Sequence, residues 1–125
     1  MSVLIVGSVA YDSVESPEGS IDRALGGSAT YGGLSCRFVQ GCNEGGSTGL
    51  VGVVGQDFAV EDRTVLSAAG LNLDGLEVAE GETFRWEGAY RGAMAEAETK
   101  ATHLNVFEHF QPVVPADFTL SLIHI

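Results

Sequence analysis

The residues of this sequence that could do chemistry are a carboxylate, Asp12, and a glycine pair that opens residues 26–31, Gly-Gly-Ser-Ala-Thr-Tyr. Adjacent glycines allow positive φ and a close approach of the backbone, and the residues after them can offer free N–H groups to a ligand. Such a loop suits a hydroxyl-rich or anionic small molecule. The other interpretation of the glycine pair is a tight turn that only precedes a helix.

The place of Asp12 relative to the first strand makes it a candidate ligand. Residues 3–6 form a continuous apolar run closed by Gly7, which is typical of a central parallel strand covered on both faces. Open α/β sheets bind their ligands beyond the carboxyl ends of the strands, and Asp12 follows such an end. A solvated loop aspartate is the alternative interpretation, because most loop acids are exposed.

A helix is predicted at 29–39, directly after the glycine pair. We expect Ser28 to be its N-cap, and Tyr31, Leu34 and Phe38 to share its apolar face at helical spacing. The glycines that follow Tyr31 each cost about 1 kcal/mol relative to alanine inside a helix. Their presence indicates a close approach of this helix to a sheet or to a ligand.

A second buried strand at 50–55 and a helix at 58–69 follow, with Asp57 as the expected N-cap of that helix. A strand, a helix and a strand at this spacing imply a right-handed parallel crossover. The core of the molecule is therefore predicted to be a parallel α/β sheet.

Beyond this core the hydrophobic period changes to two. Phe84, Trp86 and Tyr90 alternate with charged residues, which predicts a half-buried antiparallel strand at 83–91 with one aromatic face. A turn near 16–20 predicts a small hairpin outside the main sheet. These segments indicate an antiparallel flap that closes a small-molecule cleft.

The segments after this strand are predicted as a mobile loop at 92–102 and a further alternating segment at 104–110, before two prolines break the pattern.

Composition excludes several classes of function. The 125 residues carry a formal net charge of -11, which repels phosphate backbones and anionic headgroups, so we expect no nucleic acid and no membrane partner. No signal segment is evident, which favours the cytoplasm. Cys36 and Cys42, and the three histidines, do not have the spacing of a zinc site or a disulfide framework, so we expect no metal site.

Two nucleotide-binding folds are excluded by their motifs. A Rossmann dehydrogenase needs Gly-x-Gly-x-x-Gly after the first strand, which residues 7–11 do not supply. A P-loop enzyme needs Gly-Lys-Ser/Thr, but the sequence has one lysine, Lys100, in a polar segment.

Three motifs in order, residues 7–12 (Gly-Ser-Val-Ala-Tyr-Asp), 26–31 and 50–58 (Leu-Val-Gly-Val-Val-Gly-Gln-Asp-Phe), resemble the amino-terminal half of the ribokinase-like (PfkB-type) carbohydrate kinases. The resemblance implies an α/β fold, a three-layer sandwich with a central, mainly parallel sheet and a small antiparallel β-lid, here truncated. Residues 1–125 would form the amino-terminal part of one kinase domain. Its core segments would be about 1–10 and 26–72, and its lid segments about 11–25 and 76–111.

The resemblance also implies a function: ATP-dependent phosphorylation of a hydroxyl of a sugar or nucleoside, with ATP and Mg²⁺ as cofactors of the complete enzyme. The substrate-binding positions that it implies are Asp12, Gly26, Gly27, Ser28, Tyr31 and Asn105. Asp12 would bind acceptor hydroxyls, and the glycine pair would pack its backbone against the sugar. Many members have Asn where this chain has Ser28, so the identity of the sugar stays open.

The family's catalytic aspartate lies in a Gly-x-Gly-Asp motif in the carboxyl-terminal half, and no such motif occurs in this sequence. Phosphoryl transfer needs positioning, charge neutralisation and a group that orients the nucleophile. We therefore expect this chain alone to be inactive and to bind no cofactor. The alternative function is a non-catalytic module that binds sugar or dimerises through the lid, and a homodimer through the lid is an expected partner arrangement.

Overall fold

A computed structural model describes residues 2–41, 46–92, 96–119 and 123–124. In chain order the elements are β1 (Ser2–Val6), β2 (Ala10–Ser16), β3 (Gly19–Gly26), α1 (Ser28–Gln40), β4 (Ser47–Val54), α2 (Val60–Ala68), β5 (Leu71–Val78), β6 (Phe84–Tyr90), β7 (Ala97–His103) and β8 (Ile123–His124), with 3₁₀ turns at Asn105–His109 and Ala116–Phe118. The predicted loop at 92–102 and the position of Cys42 lie partly or wholly outside the described residues.

The strands of the described residues form two four-stranded sheets, which we call the core sheet and the lid sheet. The core sheet has the order β5-β4-β1-β8, and all its pairings are parallel. The lid sheet has the order β3-β2-β6-β7 and consists of two antiparallel hairpins whose inner strands, β2 and β6, pair in parallel. The predicted parallel core with a separate small lid is therefore confirmed.

The two faces of the core sheet bury different partners, because side chains alternate along each strand. Ile5 and Leu50 point to the face covered by both helices, where they join Ala29 and Leu66 in one apolar cluster. Leu4 and Val51 point to the opposite face and pack against Phe118. Each such fully buried aliphatic side chain contributes roughly 1.5–3 kcal/mol, so the central strands β1 and β4 anchor the fold.

Helix α1 lies unusually close to the core sheet, as its internal glycines predicted. A Cβ atom at Gly33 would approach the Leu50 side chain to 2.5 Å, and one at Gly32 would approach Ile5 to 3.3 Å. A larger residue at Gly33 would force the helix away from the strands beneath it.

The apolar face predicted for α1 is wrong for Tyr31 and Phe38, whereas Leu34 packs against the core cluster. Tyr31 is 59% exposed and Phe38 is 86% exposed, whereas Ala29, Thr30 and Gly33 are buried. Small residues face the sheet because only they permit the short distance between helix and strands, so the large side chains are left on the outer surface. The N-cap is Gly27, not Ser28, so the N-cap residue has no side chain with which to cap this helix.

One boundary and two secondary-structure elements of the lid region differ from prediction. β5 remains in the core sheet to Val78, beyond the expected lid start at 76. The segment 97–103 is a strand, because β6 supplies partners for all of it except Lys100, where the register shifts. Residues 105–109 form a 3₁₀ turn instead of an alternating strand. The strand predicted at 83–91 is present as β6, but it is antiparallel only to β7 and parallel to β2. Its burial does not alternate as predicted, since residues 84–87 are all half-buried and Gly88 and Ala89 are both buried.

Candidate functional site

The candidate site lies where β1 ends and the chain passes through Ser8 into the lid. The start of α1 returns beside this connection and is fixed to it by a reciprocal set of hydrogen bonds. The Ser8 N–H donates to Ser28 Oγ (3.1 Å), the Ser28 N–H donates to Ser8 Oγ (3.0 Å), and the Ala29 N–H donates to the Ser8 carbonyl (2.9 Å). Two N–H groups that the sequence suggested for a ligand are therefore already bonded to Ser8.

Gly27 is required by this local packing. Its φ is 100°, a region that side chains rarely adopt. A Cβ atom there would overlap the Ser8 carbonyl and lie 2.9 Å from the Val9 Cα. The backbone of the strand connection, rather than a bound sugar, excludes a side chain at Gly27.

Gly26 has a different neighbour, the carboxylate of Asp12. Asp12 lies within β2 rather than in the predicted loop, and a Cβ atom at Gly26 would overlap its carboxylate. The glycine thus provides the space in which this carboxylate sits. Among the described residues no hydrogen bond or ion pair is made by the Asp12 side chain, and its burial raises the pKa of that carboxyl above its ordinary value.

An unpaired, half-buried carboxylate is the most informative feature of the site. The Asp12 oxygens keep contact with solvent, and no protein group among the described residues pairs with them, so they are open to a ligand. A partly buried carboxylate with a raised pKa is a candidate for binding or catalysis. Hydroxyl groups of a ligand would supply the donors that the surrounding protein does not. We therefore take Asp12 as the centre of the candidate site.

Trp86 borders Asp12 and was not predicted as a site residue. The two residues are direct partners across the parallel β2–β6 pairing, so their side chains share one face of the lid sheet. The Trp86 indole covers Gly88 and donates from Nε1 to Thr99 Oγ1 (3.2 Å). This pairing joins distant parts of the chain, and no local sequence signal reports it. The face therefore combines an aromatic surface with a free carboxylate.

Tyr31 and Asn105, which the resemblance also implied, are placed elsewhere. Tyr31 lies on the outer surface of α1. Asn105 has a φ of 50° and donates from Nδ2 to the Thr83 carbonyl (2.9 Å). It lines a separate cavity of about 430 Å³, of which Asp12 is not a lining residue. Within the described residues, no hydrogen bond connects either side chain to Asp12.

Asp57 does not cap α2, contrary to prediction. That helix begins at Val60 after an Ala59 N-cap that makes no side-chain bond. The Asp57 carboxylate instead accepts hydrogen bonds from the Thr83 N–H (2.8 Å) and the Thr83 hydroxyl (2.7 Å), across the boundary between core and lid. A tertiary partner has thus replaced the local cap.

The described residues contain no cluster of three or more His, Cys, Asp or Glu that could hold a metal ion. No helix within the described ranges is long and apolar enough to cross a membrane. The lysine at position 100 pairs with Glu15, and Arg91 pairs with Glu98, so neither is available to a nucleotide phosphate without losing its partner.

The core sheet, its two helices and the lid sheet define a ribokinase-like α/β fold. Solved structures with this fold include ribokinase from Cryptococcus neoformans var. grubii serotype A in complex with ADP, at 23% identity and a TM-score of 0.63. Nucleoside kinase from Burkholderia thailandensis in complex with inosine matches at 22% identity and a TM-score of 0.67. Nucleoside kinase from Methanocaldococcus jannaschii, an archaeal member of the ribokinase family, matches at 20% identity and a TM-score of 0.65.

These matches cover most of this chain but a minor part of each neighbour. They span 83%, 82% and 86% of this chain and 34%, 36% and 38% of the respective neighbours. No protein-family model and no curated protein matches the chain. At these identities the likeness establishes the fold.

The raised pKa of Asp12 leads to a prediction about stability. The folded chain keeps the Asp12 proton at pH values where the unfolded chain, with a pKa of about 3.9, has released it. The contribution of Asp12 to the free energy of unfolding therefore falls as the pH rises through the raised, folded pKa. We expect Asp12→Asn to be more stable than the parent at neutral pH, by a margin that shrinks towards pH 4.

Urea unfolding of the parent and of Asp12→Asn across this pH range measures the effect. Asp74→Asn is the matched control, because Asp74 is exposed on β5. A variant that is less stable than the parent at pH 7, or a margin that does not change with pH, would contradict this prediction.

Proposed function

We propose that this chain is the acceptor-binding part of an ATP-dependent kinase that phosphorylates a hydroxyl of a sugar or nucleoside. One observation carries the proposal: the unpaired carboxylate of Asp12, seated over Gly26 and beside Trp86, at the point where the core sheet meets the lid. The structural neighbours named for ribokinase and nucleoside kinase activity support the same class of reaction. An enzyme of this class would work in the cytoplasm.

The chemistry of the site suits a neutral, hydroxylated acceptor. A carboxylate has two oxygens that accept only, so it can bind two neighbouring hydroxyl groups at once. Hydrogen bonds to a charged group contribute about 1.5–3 kcal/mol each, more than those between neutral groups. The indole of Trp86 offers an apolar surface on the same face for a sugar ring or a base.

The residues present do not fit the nucleotide half of the reaction. The sequence lacks Gly-x-Gly-Asp, and the described residues offer neither a metal-ligand cluster nor an unpaired lysine. We therefore assign this chain no catalytic residue and no ATP or Mg²⁺ ligand. Both cofactors belong to the proposal for the complete enzyme.

Calorimetry on this chain tests whether it binds the acceptor without binding ATP. D-ribose, D-fructose and inosine are titrated separately, and ATP with Mg²⁺ is titrated in a further experiment. We expect saturable binding of at least one acceptor and none of ATP. Phosphoryl transfer by this chain alone, or ATP binding without acceptor binding, would overturn the proposal.

A second candidate function is a non-catalytic module that dimerises through the lid. It is favoured by Ile21, which is 57% exposed and lies on the same face as Val14 and Trp86. Contiguous apolar surface of this kind promotes association. The occupant that we infer is the lid face of a second copy.

We expect Trp86→Glu to lower the mass of the particle from dimer to monomer, because a charge on this face would be buried without a partner. Size-exclusion chromatography with light scattering measures the mass. Tyr31→Glu is the control, since Tyr31 is an exposed aromatic residue on α1. If Trp86→Glu changes neither the mass nor the stability, the lid face is not an interface.

A further inference from the structure

Core and lid are joined beside the candidate site by a connected set of polar contacts centred on Asp57. Thr83, the residue before β6, is fully buried and donates to Asp57 Oδ1 from both its N–H (2.8 Å) and its hydroxyl (2.7 Å). The Thr83 hydroxyl also accepts a bond from the N–H of Gly55 (3.0 Å), the residue after β4. The start of a lid strand is thereby fixed to the end of a core strand.

The same aspartate holds a second lid strand through Arg23. The guanidinium Nη2 of Arg23 donates to the Asp57 carbonyl (3.3 Å) and lies 3.6 Å from Asp57 Oδ2. Arg23 has a φ of 54°, which is unusual for a side chain of this size, and sits at an irregularity in the β2–β3 pairing. The contact with Asp57 thus joins this irregular part of β3 to the segment that precedes α2.

A third lid strand is held by Tyr11, which directly precedes Asp12. The Arg23 guanidinium lies over the Tyr11 ring at 4.5 Å from its centre. The buried Tyr11 hydroxyl donates to Asp62 Oδ2 (2.6 Å) and accepts from the Ala59 N–H (2.9 Å). Since side chains alternate along a strand, these contacts on one face of the lid fix where Asp12 points on the other.

We propose that Asp57 is a positioning residue that sets the lid sheet against the core sheet and so holds Asp12 and Trp86 in place for the acceptor. The part of this proposal that concerns acceptor binding rests on the proposed function. The pairings inside each sheet involve only backbone groups of their own strands, and Asp57 takes part in none of them. Loss of its carboxylate therefore leaves the core sheet formed and weakens the attachment of the lid sheet to it, so that the lid sheet opens more often while the core sheet stays closed.

The test compares Asp57→Ala, Asp57→Asn and Arg23→Met with the parent. The control is Arg91→Met, because Arg91 is another lid arginine in an ion pair, with Glu98 (2.9 Å), away from Asp57. Amide hydrogen exchange is measured strand by strand, and inosine and D-ribose affinities are measured by titration. Asparagine keeps an oxygen that can accept from Thr83, so it serves as the conservative variant.

We expect Asp57→Ala to speed exchange in β2, β3 and β6 by about tenfold or more, with β1 and β4 unchanged, since local opening is independent of global unfolding. Asp57→Asn should restore most of the protection, Arg23→Met should affect β3 and β2 only, and Arg91→Met should affect neither sheet. Acceptor affinity should fall in the same order as lid protection.

Equal acceleration in both sheets would overturn the proposal, because it would show a general role in stability. Unchanged exchange in the lid of Asp57→Ala would overturn it as well. Should Asp57→Ala not fold, Arg23→Met decides by the same strand-by-strand comparison. If neither inosine nor D-ribose binds the parent, the proposed function fails, while the exchange pattern still decides whether Asp57 orients the lid.

Discussion

Gly27→Val is expected to lower the free energy of unfolding by roughly 3 kcal/mol or more. Two costs add at this position, because the side chain would strain the backbone and would also overlap a neighbouring backbone atom. The φ of Gly27 is 100°, and a Cβ atom there would overlap the Ser8 carbonyl. Ser8 cannot retreat, because it is bonded on both sides of its backbone to Ser28 and Ala29. Urea unfolding followed by Trp86 fluorescence and far-ultraviolet circular dichroism measures the loss.

Gly19→Val is the control for backbone strain alone. Its φ is 143° and nothing lies within 4 Å of the position of its Cβ atom. We expect a loss of about 1–3 kcal/mol for a side chain at this φ, from backbone strain without overlap. Equal losses at both positions would show that the contact with Ser8 is not what selects glycine at Gly27.

Asp12→Asn is expected to weaken acceptor binding by about tenfold to a hundredfold, which corresponds to the 1.5–3 kcal/mol of a hydrogen bond to a charged group. The amide keeps the size of the side chain but loses the charge and one acceptor. In a complete enzyme the same change should raise the acceptor KM and lower kcat/KM. Titration of the acceptor into the parent and the variant measures it.

The control for this loss is Glu18→Gln, which removes an exposed carboxylate from the turn of the β2–β3 hairpin. We expect its affinity to equal that of the parent. An Asp12→Asn protein that binds as tightly as the parent, although it is more stable, would remove Asp12 from the site. Loss of activity with a gain of stability is the usual signature of a residue kept for function.

The sequence was sufficient for the central strands and for the glycines of α1. Continuous apolar runs predicted β1 and β4, because parallel strands buried on both faces need no alternation. The glycines at 32 and 33 predicted a helix close to the sheet, which the approach of Gly33 to Leu50 confirms. These features were predictable because the residue types within each segment indicate how deeply that segment is buried.

The features that could not be predicted depend on contacts between distant segments. Phe38 looked like a core residue by its spacing, but the small residues of α1 face the sheet and leave it outside. Aspartate is among the best N-cap residues, yet the Asp57 carboxylate accepts its hydrogen bonds from Thr83, across the boundary between core and lid. β7 lacks an apolar face, and it is a strand because its backbone pairs with that of β6.

The candidate site shows the same division. The position of Asp12 near the carboxyl end of β1 was predictable, because strand ends and ligand sites coincide in α/β sheets. The place of Trp86 beside it was not predictable, because it follows from the parallel pairing of β2 with β6. The positive φ that the glycine pair allows is present at Gly27, but the backbone of Ser8 lies against it.

Binding of acceptor hydroxyls by the Asp12 carboxylate can be measured by a cycle that changes protein and ligand together. Inosine and 2′,3′-dideoxyinosine are each titrated into the parent and into Asp12→Asn. We expect removal of the ligand hydroxyls to weaken binding to the parent by about tenfold or more, and to have little further effect on Asp12→Asn. If both ligands bind the parent equally, or if the two losses simply add, Asp12 does not contact the hydroxyls.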